Sequence, residues 1–329
     1  MAVAEEKHID AEPLVPLAIK EFLQGFSFGR WGICAGRSVI RAQRKLRDPA
    51  QYKTWMGRFL MPVRNILLAN RPLHVTFNQI SVALAPRGAV AAAIWTGLRC
   101  ESREVSFIFD MLKPGMTVFD VGANAGIFAI SAAKKIGGGR VFAFEPRPST
   151  CELLNENLQL NHVPDVHVVK MVLGDTVGKG VLQVNASGND GRNTLGQATH
   201  PHSPVVGQED VGVTTVDVFV KKRNVSRIDV MKVDIEGAEL MLFRGARELL
   251  SRADAPLILY GGFGFLTRGF GYHPVEILWL LKSCGYSLFT LNSETGAIAA
   301  LTSDYNYDTM IVAVKPENAL FSDWRASHP

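Results

Sequence analysis

From about residue 101 the chain predicts an α/β fold, a mostly parallel sheet with helices on both faces. Two observations carry this. Short apolar runs rich in Val, Ile and Phe alternate with longer segments of helical spacing, the pattern of repeated strand–helix units. One of those strands, in "VFDVGANAGIF" (Val118 to Phe128), ends on an acid and passes through a turn of small residues into a helix. Ligands of doubly wound sheets lie at such carboxyl ends.

The elements follow in order. Thr117–Val121 reads as the first strand and Ala125–Ile136 as its helix. Arg140–Phe144 is a second strand. Ser149, with Glu152 three residues on, has the form of a capping box opening a helix whose apolar side is Leu153, Leu154 and Leu158. His167–Val172 is a third strand. "GVLQVN" and "GVTTVD" read as extra strands around a long loop at about 186–210, which has almost no apolar periodicity. Asp229–Asp234 is a fourth strand, followed by a helix burying Leu240, Phe243, Ala246, Leu249 and Leu250. Pro256–Tyr260 is a fifth. Pro274 opens a helix ending at Gly285, and Tyr286–Leu291 and Asp308–Val314 close the sheet.

Residues 1–100 read as an accessory region and 101–329 as the core. In the former, "PLAIKEFLQGF" and "GRSVIRAQRKLR" suggest helices, and "HVTFNQISVAL" two strand pieces joined by a bulge or tight turn at Asn78–Gln79. Apolar residues make up 47% of the 329 and charged residues 20%, which excludes disorder as the main state. Cys34, Cys100, Cys151 and Cys284 are scattered without a CxxC pair, so they read as free thiols in a reducing compartment, and the expected location is cytoplasmic. "MAVAEEKHID" does not read as a signal peptide, and "GAVAAAIWTGL" (Gly88 to Leu98) is too short to span a bilayer. Between Arg30 and Arg71 stand ten Lys or Arg and one acid, Asp48. That window carries +9 in a chain of net +4, either as a solvated helical face or as a peripheral contact with anionic membrane.

The glycine turn narrows the ligand. Its order is Gly122, Ala123, Asn124, Ala125, Gly126, which lacks the middle and third glycines of a dinucleotide fingerprint, and the chain has no P-loop. A phosphate-free nucleoside fits better. Glu145, in "FEP" with Pro146, ends the second strand 25 residues after Asp120, where an acid can accept from both ribose hydroxyls. Asp175, in "LGD", is placed to accept from an adenine amine or to serve a turn. "KVDIEGAE" sets Asp234 and Glu236 on the ligand side, and two acids there suit a bound cation such as a sulfonium.

"DVGANAG", "FEP", "LGD" and "VDIEGAE", in this order over roughly Glu101 to Val314, resemble the FkbM-type family of S-adenosylmethionine-dependent methyltransferases. The resemblance implies a class I methyltransferase (Rossmann-like) sheet of seven strands with the last antiparallel. It also implies S-adenosylmethionine as cofactor, and methylation of a hydroxyl on a small molecule, glycan, glycolipid or polyketide-type acceptor. Asp120, Gly122, Asn124, Gly126, Glu145, Pro146, Asp175 and Asp234 would hold the cofactor. Asp234, Glu236 and His273 are the candidate bases, with no metal called for. His200 and His202 would close over the acceptor from the long loop, and Phe263, Phe265, Phe270 and Tyr272 would wall it. "LILYGGFGF" departs from the family, since Gly261–Gly262 replace the acid usual at the end of the fifth strand. That gap would widen the acceptor pocket or mark a scaffold with weakened chemistry. Nucleic-acid methylation fits less well. The [DNS]-P-P-[YFW] motif of amino-group methylases is replaced by "DIEG", and no cysteine stands where C5 pyrimidine chemistry needs one.

Overall fold

The computed structural model describes residues 73–77, 79–84, 103–185, 193–197, 205–291, 298–301 and 309–327. The basic window, the Gly88–Leu98 stretch, the first two cysteines and both loop histidines, His200 and His202, lie outside the described residues.

Eight strands form the central sheet: β3 (Thr117–Val121), β4 (Arg140–Phe144), β5 (Val166–Val169), β9 (Val230–Val233), β10 (Leu257–Gly261), β11 (Ser287–Leu291), β12 (Ile298–Ala300) and β13 (Met310–Val314). Their spatial order is β12-β11-β13-β10-β9-β3-β4-β5. β3, β4, β5, β9 and β10 are parallel, while β13 runs antiparallel between β10 and β11. Short β12 adds an edge strand to the seven that the resemblance implies. The chain steps outward from β3 to β4 and β5, then returns to the other side of β3 through β9 and β10. The switch point therefore falls between β3 and β9, and ligands of such sheets bind there.

The parallel strands are mostly apolar because both faces are covered, with Asp120 in β3 and Lys232 in β9 as buried charged exceptions. Phe119, Phe142, Phe144 and Phe219 pack ring against ring at 4.9–5.8 Å between centroids. α1 (Arg103–Met111) precedes β3. α2 (Ile127–Ile136) buries Phe128, Ala129, Ile130, Ala132 and Ile136, and carries Lys134 and Lys135 in its last turn, where cations suit the helix dipole. α3 (Pro148–Asn161) begins one residue before Ser149. Arg147 is its N-cap with no side-chain cap bond, so the expected Ser149–Glu152 capping box does not form; Pro148 starts the helix instead.

A hairpin of β1 (Leu73–Phe77) and β2 (Ile80–Leu84) pairs Phe77 with Ile80 across a tight turn, with Gln79 at φ +63°. It belongs to the same compact unit as the sheet, although it lies in the segment assigned from sequence to the accessory region. Two α3 side chains hold it. Asn157 Oδ1 accepts from Ala83 N at 2.6 Å and its Nδ2 donates to Ala83 O at 2.9 Å. Asn161 repeats the exchange with Ser81 at 3.0 and 2.6 Å.

β6 (Val172–Leu173), β7 (Gly178–Asn185) and β8 (Val205–Thr214) form a separate three-stranded sheet. This corrects two expectations. The third strand ends at Val169, and residues 172–173 join the small sheet. Residues 205–210, read as loop, form the exposed half of β8. "VDVFVKK" is helix α4 (Val216–Lys222), capped by Thr215 Oγ1 accepting from Val218 N at 3.1 Å. The helix after β9 breaks into α5 (Glu239–Arg244) and α6 (Arg247–Leu250) around Gly245, where a Cβ would lie 2.0 Å from Gly174 O. α7 (Gly264–Thr267), followed directly by a 3-10 turn at Arg268–Phe270, α8 (Val275–Ser283) and α9 (Ala319–Ser327) complete the described elements. Among the described residues no helix is long and apolar enough to cross a membrane.

Candidate active site

The turn after β3 is fixed by the end of β4. Gly122 N and Ala123 N both donate to Phe144 O at 3.0 Å, and Asn124 N donates to Glu145 Oε2 at 3.1 Å. Gly122 and Gly126 have φ of +82° and +86°, and Asn124 has φ of +49°, a conformation asparagine tolerates. A Cβ at Gly122 would lie 2.0 Å from Asp234 O, so the β3 and β9 exits touch through bare backbone. Asn157 Nδ2 also donates to Ala125 O at 2.8 Å, tying this turn to α3 and the hairpin.

Four charged side chains meet at these strand ends. Asp120 and Lys232 are directly paired in the β3–β9 register. The Asp120 side chain is 0% exposed, and neither of its oxygens has a hydrogen bond among the described residues. Its contact is an ion pair with Lys232 Nζ at 3.3 Å. Burial pushes the Asp120 carboxyl above its usual range, against the pull of Lys232. Burial also opposes charge on Lys232, but Asp120 and Asp234 outweigh it and raise the ammonium above its ordinary value. Asp234 Oδ2 lies 3.8 Å from the same Nζ, with its side chain 48% exposed at the mouth. Glu145 is buried, and its carboxylate accepts from Asn124 N and, through Oε1, from Arg147 N at 3.1 Å. Burial raises its pKa to about 7.

The turn from β9 into α5 is held from several sides. Glu236 and Gly237 take φ of +55° and +100°. Glu239, fully buried, accepts from Ile235 N at 3.3 Å and Gly237 N at 3.4 Å, and burial raises its pKa to about 7. Tyr272 OH donates to Gly237 O at 2.7 Å, and Thr194 Oγ1 to Glu236 O at 3.0 Å. Gln197 N donates to Gly269 O at 2.9 Å, so residues 193–197 of the long loop lie as a strap across this turn.

Asp120, Gly122, Asn124, Gly126, Glu145 and Asp234 thus come together, with Pro146 between Glu145 and its donor Arg147. Asp175 is reached from the small sheet, not from a strand of the main one. It is exposed, follows β6 of the small sheet, and makes no hydrogen bond or ion pair with the described residues. His273 is exposed. Its Nδ1 accepts from Val275 N at 3.3 Å while its backbone N donates to Glu276 Oε1 at 3.1 Å, so it serves the start of α8. The Gly261–Gly262 gap is not open. A Cβ at Gly261 would meet the Phe263 ring at 3.1 Å, and one at Gly262 would meet Ile311 Cδ1 at 2.6 Å and Thr309 O at 3.0 Å. Of the expected aromatic wall, Phe265 is exposed, Phe263 and Phe270 are half-buried, and Tyr272 is spent on Gly237. Lys232 and Glu239 are the site residues that sequence reading missed. The signal was present, because a lysine inside an apolar strand calls for a partner.

The strand order and the acid-lined switch point define a class I, Rossmann-like methyltransferase fold. The methyltransferase FkbM domain model matches residues 120–288, just over half of the chain, and the chain belongs to that family. "Methyltransferase sdnD" of Sordaria araneosa is 30% identical over 156 residues, 40% of this chain and 60% of that protein. The "Hexuronic acid methyltransferase AglP" of Haloferax volcanii is 27% identical over 161 residues, 49% of this chain and 62% of that protein. The chain thus spans about three fifths of the length of these two relatives. The solved structure of a SAM-dependent methyltransferase from Aquifex aeolicus is 14% identical and covers 64% of this chain and 88% of that chain, with a TM-score of 0.35.

The cofactor that family and fold imply is S-adenosylmethionine, and the residues fit it. Asp120 offers a buried carboxylate with no hydrogen bond, suited to a cationic ligand, and Glu145 offers a carboxylate one strand away for a diol.

Proposed function

We propose that this protein is an S-adenosylmethionine-dependent O-methyltransferase acting on a hydroxyl of a small-molecule, glycan or lipid-linked acceptor. The observation that carries the reading is the convergence of Asp120, Glu145 and Asp234 at adjacent strand ends around a left-handed glycine–asparagine turn. When bound, the cofactor supplies a methyl group on a sulfonium, open to in-line displacement.

The chain's residues then have separable tasks. Glu145 is preset by two backbone donors to accept from a ribose diol. Asp120 and Asp234 put negative charge where a sulfonium and an ammonium need it. Asp234, exposed at the mouth, is the base we assign to the acceptor hydroxyl, a role worth typically ~10²–10⁴-fold in rate. Glu236, at φ +55° in the turn after β9, is kept as the second candidate base. His273 is left out of the chemistry because its Nδ1 is engaged by Val275 N at the start of α8. The strap at 193–197 and the rings of Phe263, Phe265 and Phe270 are proposed to shield the acceptor from water. A hydroxyl on a sugar suits this site, and the hexuronic acid methyltransferase among the relatives supports that choice.

The test is calorimetry with S-adenosylmethionine on the full chain, followed by transfer of an isotopically labelled methyl group to extracted glycans and glycolipids. The expected result is micromolar-range binding and label in a methyl ether. No binding, or label recovered on nitrogen, overturns the reading.

A further inference from the structure

A lysine inside a parallel sheet needs a reason. Lys232 lies in β9 between Met231 and Val233, and only 8% of it is exposed. Its ammonium reaches Asp120 Oδ1 at 3.3 Å, Gly122 O at 3.3 Å and Asp234 Oδ2 at 3.8 Å, with the Phe128 ring 6.0 Å away. On packing grounds a methionine would serve the strand, because burying an ammonium is costly. Asp120 supplies the missing explanation. Fully buried and without a hydrogen bond, such a carboxylate standing alone takes up a proton and becomes a poor partner for a cation.

We propose that Lys232 is a positioning residue that holds the proton off Asp120 in the cofactor-free protein, so that the carboxylate is already charged when a cationic cofactor arrives. The inference rests on the reading that this cradle takes S-adenosylmethionine. The geometry also gives the lysine somewhere to go. Asp234, whose Oδ2 already lies 3.8 Å from the same Nζ and whose side chain is open to solvent, can hold the ammonium through that oxygen when the cofactor engages Asp120, which leaves its other oxygen for the acceptor hydroxyl. Two acids thus serve two cations, one resident and one arriving.

Calorimetric titration of S-adenosylmethionine against the full chain from pH 7 to 9.5 tests this. Lys232→Met should weaken binding on the order of tenfold at pH 7, the cost of one unit of displaced proton equilibrium, and regain it as pH rises. In the double variant Lys232→Met/Asp120→Asn, binding should be no weaker than in Asp120→Asn alone, because the lysine acts through that carboxylate. In cofactor-free protein, the Asp120 carboxyl followed by NMR should titrate at higher pH in Lys232→Met than in the parent. An unchanged Asp120 titration, parent-like or tighter binding at every pH, or losses that add in the double variant would each overturn the proposal. If Lys232→Met does not fold, Lys232→Arg carries the test: it should keep the parent's pH profile, and a folded Arg variant that loses it sinks the idea. Failure of the parent itself to bind would instead strike at the cofactor reading.

Discussion

Glu145 is a residue whose proton decides what it can hold. As a carboxylate it accepts two backbone bonds and has lone pairs left for a diol; as an acid it gives up an acceptor. With its pKa raised to about 7 by burial, the ionised fraction at pH 6 is about a tenth. S-adenosylmethionine should therefore bind on the order of tenfold more weakly at pH 6 than at pH 8, and Glu145→Gln should flatten that dependence while lowering affinity at pH 8. Titrations at the two pH values check this, and an equal slope in both proteins removes Glu145 from the site. Asp120, Glu145 and Asp234 could be picked out in the sequence because each stands within a residue of a strand end, and a strand end in a doubly wound sheet has a known side. Lys232 stood out only as a lysine inside a strand, with no readable partner, and Glu239 not at all. The lysine's partner lies 112 residues away and is set by β3–β9 register, and Glu239 folds back on its own turn to meet backbone donors. Asp175 follows β6 of the small sheet, a step not readable in the sequence because nothing there shows that the chain leaves the main sheet at Val169.

The elements that could be read are those whose burial is uniform. Strands β3, β4, β9 and β10 are buried along all or nearly all of their length and mostly apolar, so their bounds fell within a residue or two of the observed ones. α4 was lost because "VDVFVKK" is rich in β-branched residues and only seven residues long, and tertiary packing of Val216, Phe219 and Val220 overrides that propensity. The outer half of β8 was lost because it faces water and shows no apolar period. The α3 contact with the hairpin was not readable either, since Asn157 is a polar residue on a helix face. It makes bonds to Ala83 N, Ala83 O and Ala125 O from a fully buried position. Asn157→Leu would leave three backbone groups unpaired at about 1–3 kcal/mol each, so a loss of about 3 kcal/mol or more is expected in denaturant unfolding. Because Ala125 O belongs to the cofactor turn, binding should weaken as well. A variant as stable as its parent would show that the hairpin is not held this way.

Across the whole molecule, acids buried around this site carry a cost. Glu145 and Glu239 both have pKa raised from 4.5 to about 7, burial being the main cause in each. Between those values the folded protein keeps two protons that the unfolded chain has released. Their contribution to stability is thus complete below about pH 4.5, declines as pH rises toward 7, and is gone above it. Each group accounts for at most about 3 kcal/mol over that window. Glu239 isolates the effect, because Glu239→Gln keeps an oxygen for Ile235 N and Gly237 N but cannot ionise. The Gln variant should match its parent near pH 5 and become the more stable of the two above pH 7. Denaturant midpoints at pH 5, 6, 7 and 8 on both proteins, without cofactor, measure the difference directly, and the other titrating groups cancel. A constant difference across that range would mean that Glu239 is ionised throughout. The same linkage predicts that cofactor raises the melting temperature more at pH 8 than at pH 6, since binding draws on the ionised form of Glu145 that the cofactor-free fold resists.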